Sequence, residues 1–281
     1  MFEHAAIRGE HVQLDASWQA ILERHPYPPL IRSLLGELVA AAALLSATLK
    51  FTGSVILQIQ GEGPVRLLVV EATSERTLRG MAQWDQLPEA GTPAELIGNG
   101  RFVITIDPRE GGQRYQGIVG IEGDSVAAML ENYLQRSEQL DSRLWLAADD
   151  QHAAGLMLQR LPEQHDEDAD AWNRAVRLGS TLTPAELLSL PAREILRRLY
   201  HEEDLRLFTP ELLRFACTCT PERVVAMLRM LGYAEVQSIL QEQGAVDIHC
   251  EFCNKQYKYD SVDAEQLFAA ESGAPASPTR H

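Results

Sequence analysis

Residues 54–70 read SVILQIQGEGPVRLLVV. Val55, Leu57 and Ile59 alternate with Ser54, Ile56, Gln58 and Gln60, the two-residue period of a strand with one buried face. Gly61-Glu62-Gly63-Pro64 is a turn, since Gly admits backbone angles closed to other residues and Pro cannot donate to a ladder. Residues 65–70 return as a second strand. A turn this short makes the pair antiparallel, because a parallel pair needs a long crossover. Outward from the hairpin the pattern recurs. Residues 78–84 read as a third strand, and residues 100–107 and 115–121 as another pair across a polar 108–114 loop. Asp124 is placed to cap a helix over residues 125–140, and RLWLAA (143–148) returns to the sheet. Upstream, residues 30–48 are rich in Leu and Ala, which predicts a helix apolar on most faces and therefore buried. Hairpins followed by helices predict an α+β fold. Its N-terminal mixed α/β domain spans residues 1–161, with helices on one face of a largely antiparallel sheet.

The bulk numbers narrow the function. At 281 residues the chain can bury a sizeable core. Its 40 acidic and 25 basic residues leave a net charge of -15. That balance disfavours nucleic acid, whose phosphates need Lys and Arg, and equally an anionic membrane surface. Residues 1–24 contain acidic side chains and no long apolar stretch, unlike a signal peptide. The longest apolar run, 38–45, is too short to span a bilayer. A cytoplasmic protein is expected, in a compartment where close cysteines bind metal or sense redox state more often than they form permanent staples.

Residues 162–216 differ in character and read as a helical linker. PEQHDEDAD (162–170) is acidic and marks a boundary. Thr183-Pro184-Ala185-Glu186 is a capping signature, and charged amphipathic residues 193–204 follow. Such helices have a narrow apolar stripe and are stable only when it is packed; the alternative is that they simply complete the main domain. Residues 217–270 form a compact cysteine module. Thr220-Pro221 starts a helix that Gly232 ends, and a second helix covers residues 235–243. Residues 246–260 then form a hairpin, with Asp260 or Ser261 capping a last short helix. Residues 271–281 have the composition of a disordered tail.

All four cysteines lie in this module, as Cys217-Thr218-Cys219 and Cys250-Glu251-Phe252-Cys253. Two close pairs separated by a spacer can place four thiolates around one ion, and tetrahedral four-sulfur sites suit zinc. The C-x-C spacing is tighter than the usual C-x2-4-C. A disulfide within it needs a bent chain, and strain makes such a bond easy to reduce. Ligands that pair with each other can no longer hold a metal, so oxidation and metal release are coupled. The plain alternative is a zinc knuckle that only stabilises the C-terminus. His249 abuts Cys250, but four cysteines already fill a tetrahedron. Asp166, Glu167, Asp168 and Asp170 read as a solvated acidic linker, and Trp84 and Trp145 as core aromatics. No nucleotide-binding loop or hydrolase signature is present, and no catalytic residue is assigned.

The C-x-C and C-x-x-C pairs behind an α/β domain resemble the bacterial 33-kilodalton heat-shock chaperone family, a redox-regulated holdase. YQGIVGIEGDSVAAMLENYLQRSEQL (115–140), GNGRFVITID (98–107), CTCTPERVVAMLRMLG (217–232) and CEFCNKQYKYD (250–260) carry the resemblance over nearly the whole chain. Asp141 departs from the proline expected after SEQL. The resemblance implies a protein that is not an enzyme. One Zn2+ per reduced chain is held by Cys217, Cys219, Cys250 and Cys253. Oxidants form Cys217–Cys219 and Cys250–Cys253, expel the zinc and unfold the module and then the linker. The oxidised homodimer then holds unfolded or oxidatively damaged client proteins without ATP. The competing reading is a thiol–disulfide oxidoreductase using Cys250 and Cys253, which needs a thioredoxin-like context absent from the sequence pattern.

Overall fold

The computed structural model describes the backbone of residues 1–272, apart from residues 49, 51, 110, 163–167 and 169. The chain divides into two compact units, Met1–Ala216 and Cys217–His281.

The first unit begins with β1 (Ile7–Leu14), α1 (Ala16–Leu22) and α2 (Pro29–Ala47). β2 (Gly53–Gly61), β3 (Val65–Thr73), β4 (Thr77–Trp84), α3 (Pro93–Ile97), β5 (Gly100–Pro108) and β6 (Tyr115–Gly120) follow. Then come α4 (Val126–Ser137), β7 (Ser142–Ala148), β8 (Ala153–Arg160), α5 (Ala171–Gly179), α6 (Pro184–Ser189), α7 (Ala192–Tyr200) and β9 (Arg214–Phe215). The hairpin expected from residues 54–70 is present, with Leu57 opposite Val70 and Ile59 opposite Leu68. It sits inside a six-stranded sheet of order β6-β5-β2-β3-β4-β9. This sheet is antiparallel except for the two-residue β4–β9 pair. A second, antiparallel sheet has the order β1-β8-β7.

Helix α2 packs against strands of both sheets. Leu34, Leu35, Leu38 and Leu44 share one core with Leu57 and Phe102 of the large sheet and Val12 and Met157 of the small one. Each such side chain contributes roughly 1.5–3 kcal/mol by leaving water. By length and composition α2 could cross a bilayer, but its burial on all sides marks it as a core helix. The helices therefore do not share one face of one sheet, as the sequence pattern implied; α2 lies between two.

Three strands escape the sequence reading: β1, β8 and the two-residue β9. β8 (AAGLMLQR) is the central strand of its sheet and buried at seven of eight positions, so it lacks the alternation that marks a half-exposed strand. β1 is an edge strand whose Arg8, Glu10 and His11 make it look like a polar loop. The α4 boundaries also shift. Ser125 rather than Asp124 is the cap, its Oγ accepting from the Ala128 N–H at 3.1 Å. The helix stops at Ser137, short of residue 140. Gln139 adopts a φ of 56°, and the Leu140 N–H closes on the Leu134 carbonyl at 3.1 Å, a left-handed helix stop.

Helices α5, α6 and α7 lie over the face of the small sheet opposite α2. Ala175, Leu187, Ile195 and Leu199 are buried there with Ile7, Leu156 and Leu158. Thr183 and Glu186 form the expected reciprocal cap of α6. The Tyr200 hydroxyl donates to the Ala175 carbonyl at 3.1 Å, and the Phe2 ring meets the Tyr200 ring edge-on at 5.3 Å. Trp145 is half-buried in this layer and Trp84 against the main core.

The second unit comprises α8 (Pro221–Leu231), α9 (Tyr233–Gln243), β10 (Val246–His249), β11 (Gln256–Tyr259) and α10 (Ser261–Ser272). Thr220 Oγ1 accepts from the Arg223 N–H and caps α8. Gly232, at a φ of 93°, ends α8 and starts α9 two residues before the predicted position. The Asp260 carboxylate receives the N–H groups of Val262 and Asp263 at the start of α10. That helix reaches Ser272, into the segment read as tail; residues 273–281 of the tail lie outside the described residues. Val224, Leu228, Val236, Leu240, Val246, Tyr257 and Ala264 are the buried apolar core of the unit. So small a core does not offset the chain entropy of folding without a further crosslink.

Candidate metal and redox centre

Local backbone brings the cysteines together within the second unit. Cys217 and Cys219 lie on the extended segment that leads into α8. Cys250 and Cys253 occupy the β10–β11 turn. There the Cys250 N–H donates to the Lys255 carbonyl at 3.0 Å and the Asn254 N–H to the Cys250 carbonyl at 2.7 Å. Asn254 takes a φ of 56°, which lets the chain reverse within a few residues. The four sulfurs all lie within 4.8 Å of one another. Cys217 Sγ is 3.6 Å from Cys250 Sγ, and Cys219 Sγ is 3.3 Å from Cys253 Sγ. A zinc–thiolate bond of about 2.3 Å gives a tetrahedron with edges of roughly 3.8 Å. The spacing and the all-sulfur donor set therefore fit an ion of that size. None of the four is in a disulfide, and all are half-buried.

The sulfurs are not equivalent. Burial pushes the Cys217 thiol up. Burial also dominates at Cys253, where the Lys255 N–H offsets it in part and the other three sulfurs add to it, reaching about 12. At Cys219 burial again raises the thiol. Hydrogen bonds from Tyr257 first, then from Cys253, Cys217 and Cys250, together outweigh it and bring Cys219 down to about 7. The Tyr257 hydroxyl lies 3.3 Å from Cys219 Sγ.

Other sequence candidates stand apart. His249 Nε2 is 3.3 Å from Asp247 Oδ1 and outside the four-sulfur group. Asp166 and Glu167 lie outside the described residues. Asp168 Oδ2 accepts from Arg174 Nη1 at 2.8 Å, and Asp170 occupies the cap position of α5 without a side-chain bond. Among the described residues the four cysteines are the one cluster of His, Cys, Asp and Glu with the spacing of a metal site. Arg223 is turned to Thr218, donating to its carbonyl and Oγ1, and Lys255 Nζ sits 5.1 Å from the Tyr257 ring centre. The sequence reading assigned Tyr257 only to a strand. Its sulfur partner is 38 residues away, so no local pattern could reveal the contact.

The family model described as "Hsp33 protein" matches residues 1–260. The chain belongs to the Hsp33 family. The 33 kDa chaperonin of Nitrosococcus oceani is 52% identical over 100% of this chain and 96% of the relative. That of Methylobacillus flagellatus is 50% identical over 100% of this chain and 97% of the relative. The crystal structure of the Thermotoga maritima 33 kDa chaperonin superposes with a TM-score of 0.86, covering 98% of this chain and 97% of that one. At 23% identity this last match establishes the Hsp33 fold alone. The close relatives are named chaperonins, and the family is a chaperone family.

Proposed function

We propose that this Hsp33 protein is a cytoplasmic, ATP-independent holdase that is inactive while reduced and zinc-bound and active as a homodimer once oxidised. The observation that carries this is the convergence of a C-x-C and a C-x-x-C pair, none of them in a disulfide, into four sulfurs within 4.8 Å of one another. Cys217, Cys219, Cys250 and Cys253 would hold one Zn2+. Bound zinc supplies a crosslink of the order of 10–16 kcal/mol, far more than the small apolar core of the module. Oxidation removes two electrons from each pair. With peroxide, two thiolates become one disulfide and the peroxide becomes two hydroxide ions, which take up protons. Cys217 would pair with Cys219 and Cys250 with Cys253. Four sulfurs engaged in disulfides can no longer act as thiolate ligands, and the module loses its crosslink.

The packing of residues 171–200 supports a metastable linker over 162–216, between a client-binding domain (1–161) and the switch module (217–270). These helices cover an apolar sheet face that includes Ile7, Leu156 and Leu158. Uncovering it would expose the kind of surface that binds unfolded chains. β9 pairs with β4 immediately before Ala216, so the last strand pairing of this segment ends two residues before the first cysteine. The net charge of -15 supports soluble clients over nucleic acid or membranes.

The test is a client-aggregation assay without nucleotide. Protein treated with peroxide at elevated temperature is mixed with a chemically unfolded client, and light scattering is followed. Suppression by the oxidised form alone is expected, with zinc content falling and two disulfides forming. Equal aggregation with and without the oxidised protein excludes the reading. Catalytic turnover with a dithiol donor would instead favour the thiol–disulfide oxidoreductase.

A further inference from the structure

Among the sulfurs, Cys217 is paired with the backbone N–H of Cys219 and Cys253 with the backbone N–H of Lys255. Cys219 differs, because a side-chain hydroxyl serves it, that of Tyr257 at 3.3 Å. The tyrosine has little freedom to leave. β10–β11 pairing fixes it opposite Ile248, and its ring is buried among Val224, Leu228, Val236 and Val246. Cys219 packs against the same cluster. The hydroxyl at the ring's end is the group that meets the sulfur.

We propose that Tyr257 is a positioning residue of the cysteine centre: its hydroxyl holds one lone pair of Cys219 and slows the reaction of that sulfur with oxidants. The proposal rests on the zinc-and-redox reading above. A thiolate attacks peroxide through a sulfur lone pair. Cys219–S⁻ and H2O2 give Cys219–SOH and OH⁻; a second thiolate of the set then displaces the hydroxyl as OH⁻ and forms the disulfide. A donor on the sulfur withdraws charge from the attacking pair, and the attack must weaken that bond. Hydrogen bonds to charged groups are worth enough to alter a rate by roughly tenfold. The tyrosine thus sets a threshold, keeping the switch closed under mild oxidant.

The experiment uses the full zinc-loaded chain and Tyr257→Phe, which keeps the buried ring and removes the donor. Zinc release is followed with a colorimetric chelator in two arms, one with peroxide and one with competing chelator alone. Tyr257→Phe is expected to bind one zinc, to release it to peroxide roughly three- to tenfold faster than wild type, and to match wild type in the chelator-only arm. Equal acceleration in both arms means mere loosening of the module and overturns the proposal, as does an unchanged peroxide rate. Should Tyr257→Phe fail to hold zinc, a ring-fluorinated tyrosine placed at 257 keeps the fold and strengthens the donor. It must then slow the peroxide arm; an unchanged or faster rate overturns the proposal. A wild-type chain that binds no zinc overturns the underlying reading, and the role of Tyr257 with it.

Discussion

Two half-buried titratable side chains of the first unit, His11 and Glu37, have opposite effects on stability as pH changes. His11 shares strand parity with Ile7 and lies opposite Leu156, so it faces the layer under α5–α7. Its Nε2 is buried without a partner, and burial pushes the imidazole down to about 4. Glu37 on α2 is raised to about 7, mainly by burial and with a small offset from Ser33. Between about pH 4.5 and 6.5 the unfolded chain carries an extra proton on His11 and the folded chain an extra proton on Glu37. The stabilisation from neutral His11 is complete above its unfolded value and is lost as pH falls toward 4. That from neutral Glu37 is complete below its unfolded value and is lost as pH rises toward 7. The two slopes cancel in the shared window. Accordingly His11→Leu should make stability fall with rising pH by about 1.4 kcal/mol per pH unit there, and Glu37→Gln should make it rise equally. Urea midpoints read by tryptophan fluorescence at several pH values check both. Parallel, flat profiles would show that neither group titrates as argued. At the centre itself, Cys219→Ser should weaken zinc binding and uncouple client holding from oxidant. One tightly held zinc per chain in that variant contradicts the four-sulfur assignment.

Among the elements, α5 is sensitive to a small change. A Cβ at Gly179 would come within 2.5 Å of the Trp145 ring. Replacing Gly by Ala inside a free helix gains about 1 kcal/mol. Here overpacking costs roughly 1–3 kcal/mol and lifts the helix from the sheet. Gly179→Ala should therefore speed proteolytic cleavage between about residues 165 and 215 in the reduced protein. Cleavage no faster than in wild type would mean that the ring swings aside. The same contact shows why sequence reading stops at elements. Thr183-Pro-Ala-Glu announces α6 through its own side chains, whereas nothing near Gly179 reveals that an indole lies against it.

Across the whole molecule, the units differ in what stabilises them. The first has a core shared by two sheets and α2; the second has, among the described residues, seven buried apolar side chains with Cys219 packed against them. Stripping zinc from the reduced protein with a strong chelator should unfold residues 217–268, seen as lost helical circular dichroism and new cleavage in that span. All four tryptophans, at 18, 84, 145 and 172, lie in the first unit, so their emission reports that unit separately. A module as protected without metal as with it would remove the reason for a switch.

Elements that carry their own signals are legible in the chain: the 54–70 hairpin, the α2 helix, the Thr183 cap and the two cysteine pairs. These are legible because periodicity, turn chemistry and capping act over a few residues. Long-range packing sets the rest: α2 lies between two sheets, β8 is buried on both faces and Tyr257 meets Cys219. The physical reason is burial. A strand or ring enclosed on all sides has no alternation to display, and a contact between residues far apart in the chain exists only once the intervening backbone has folded.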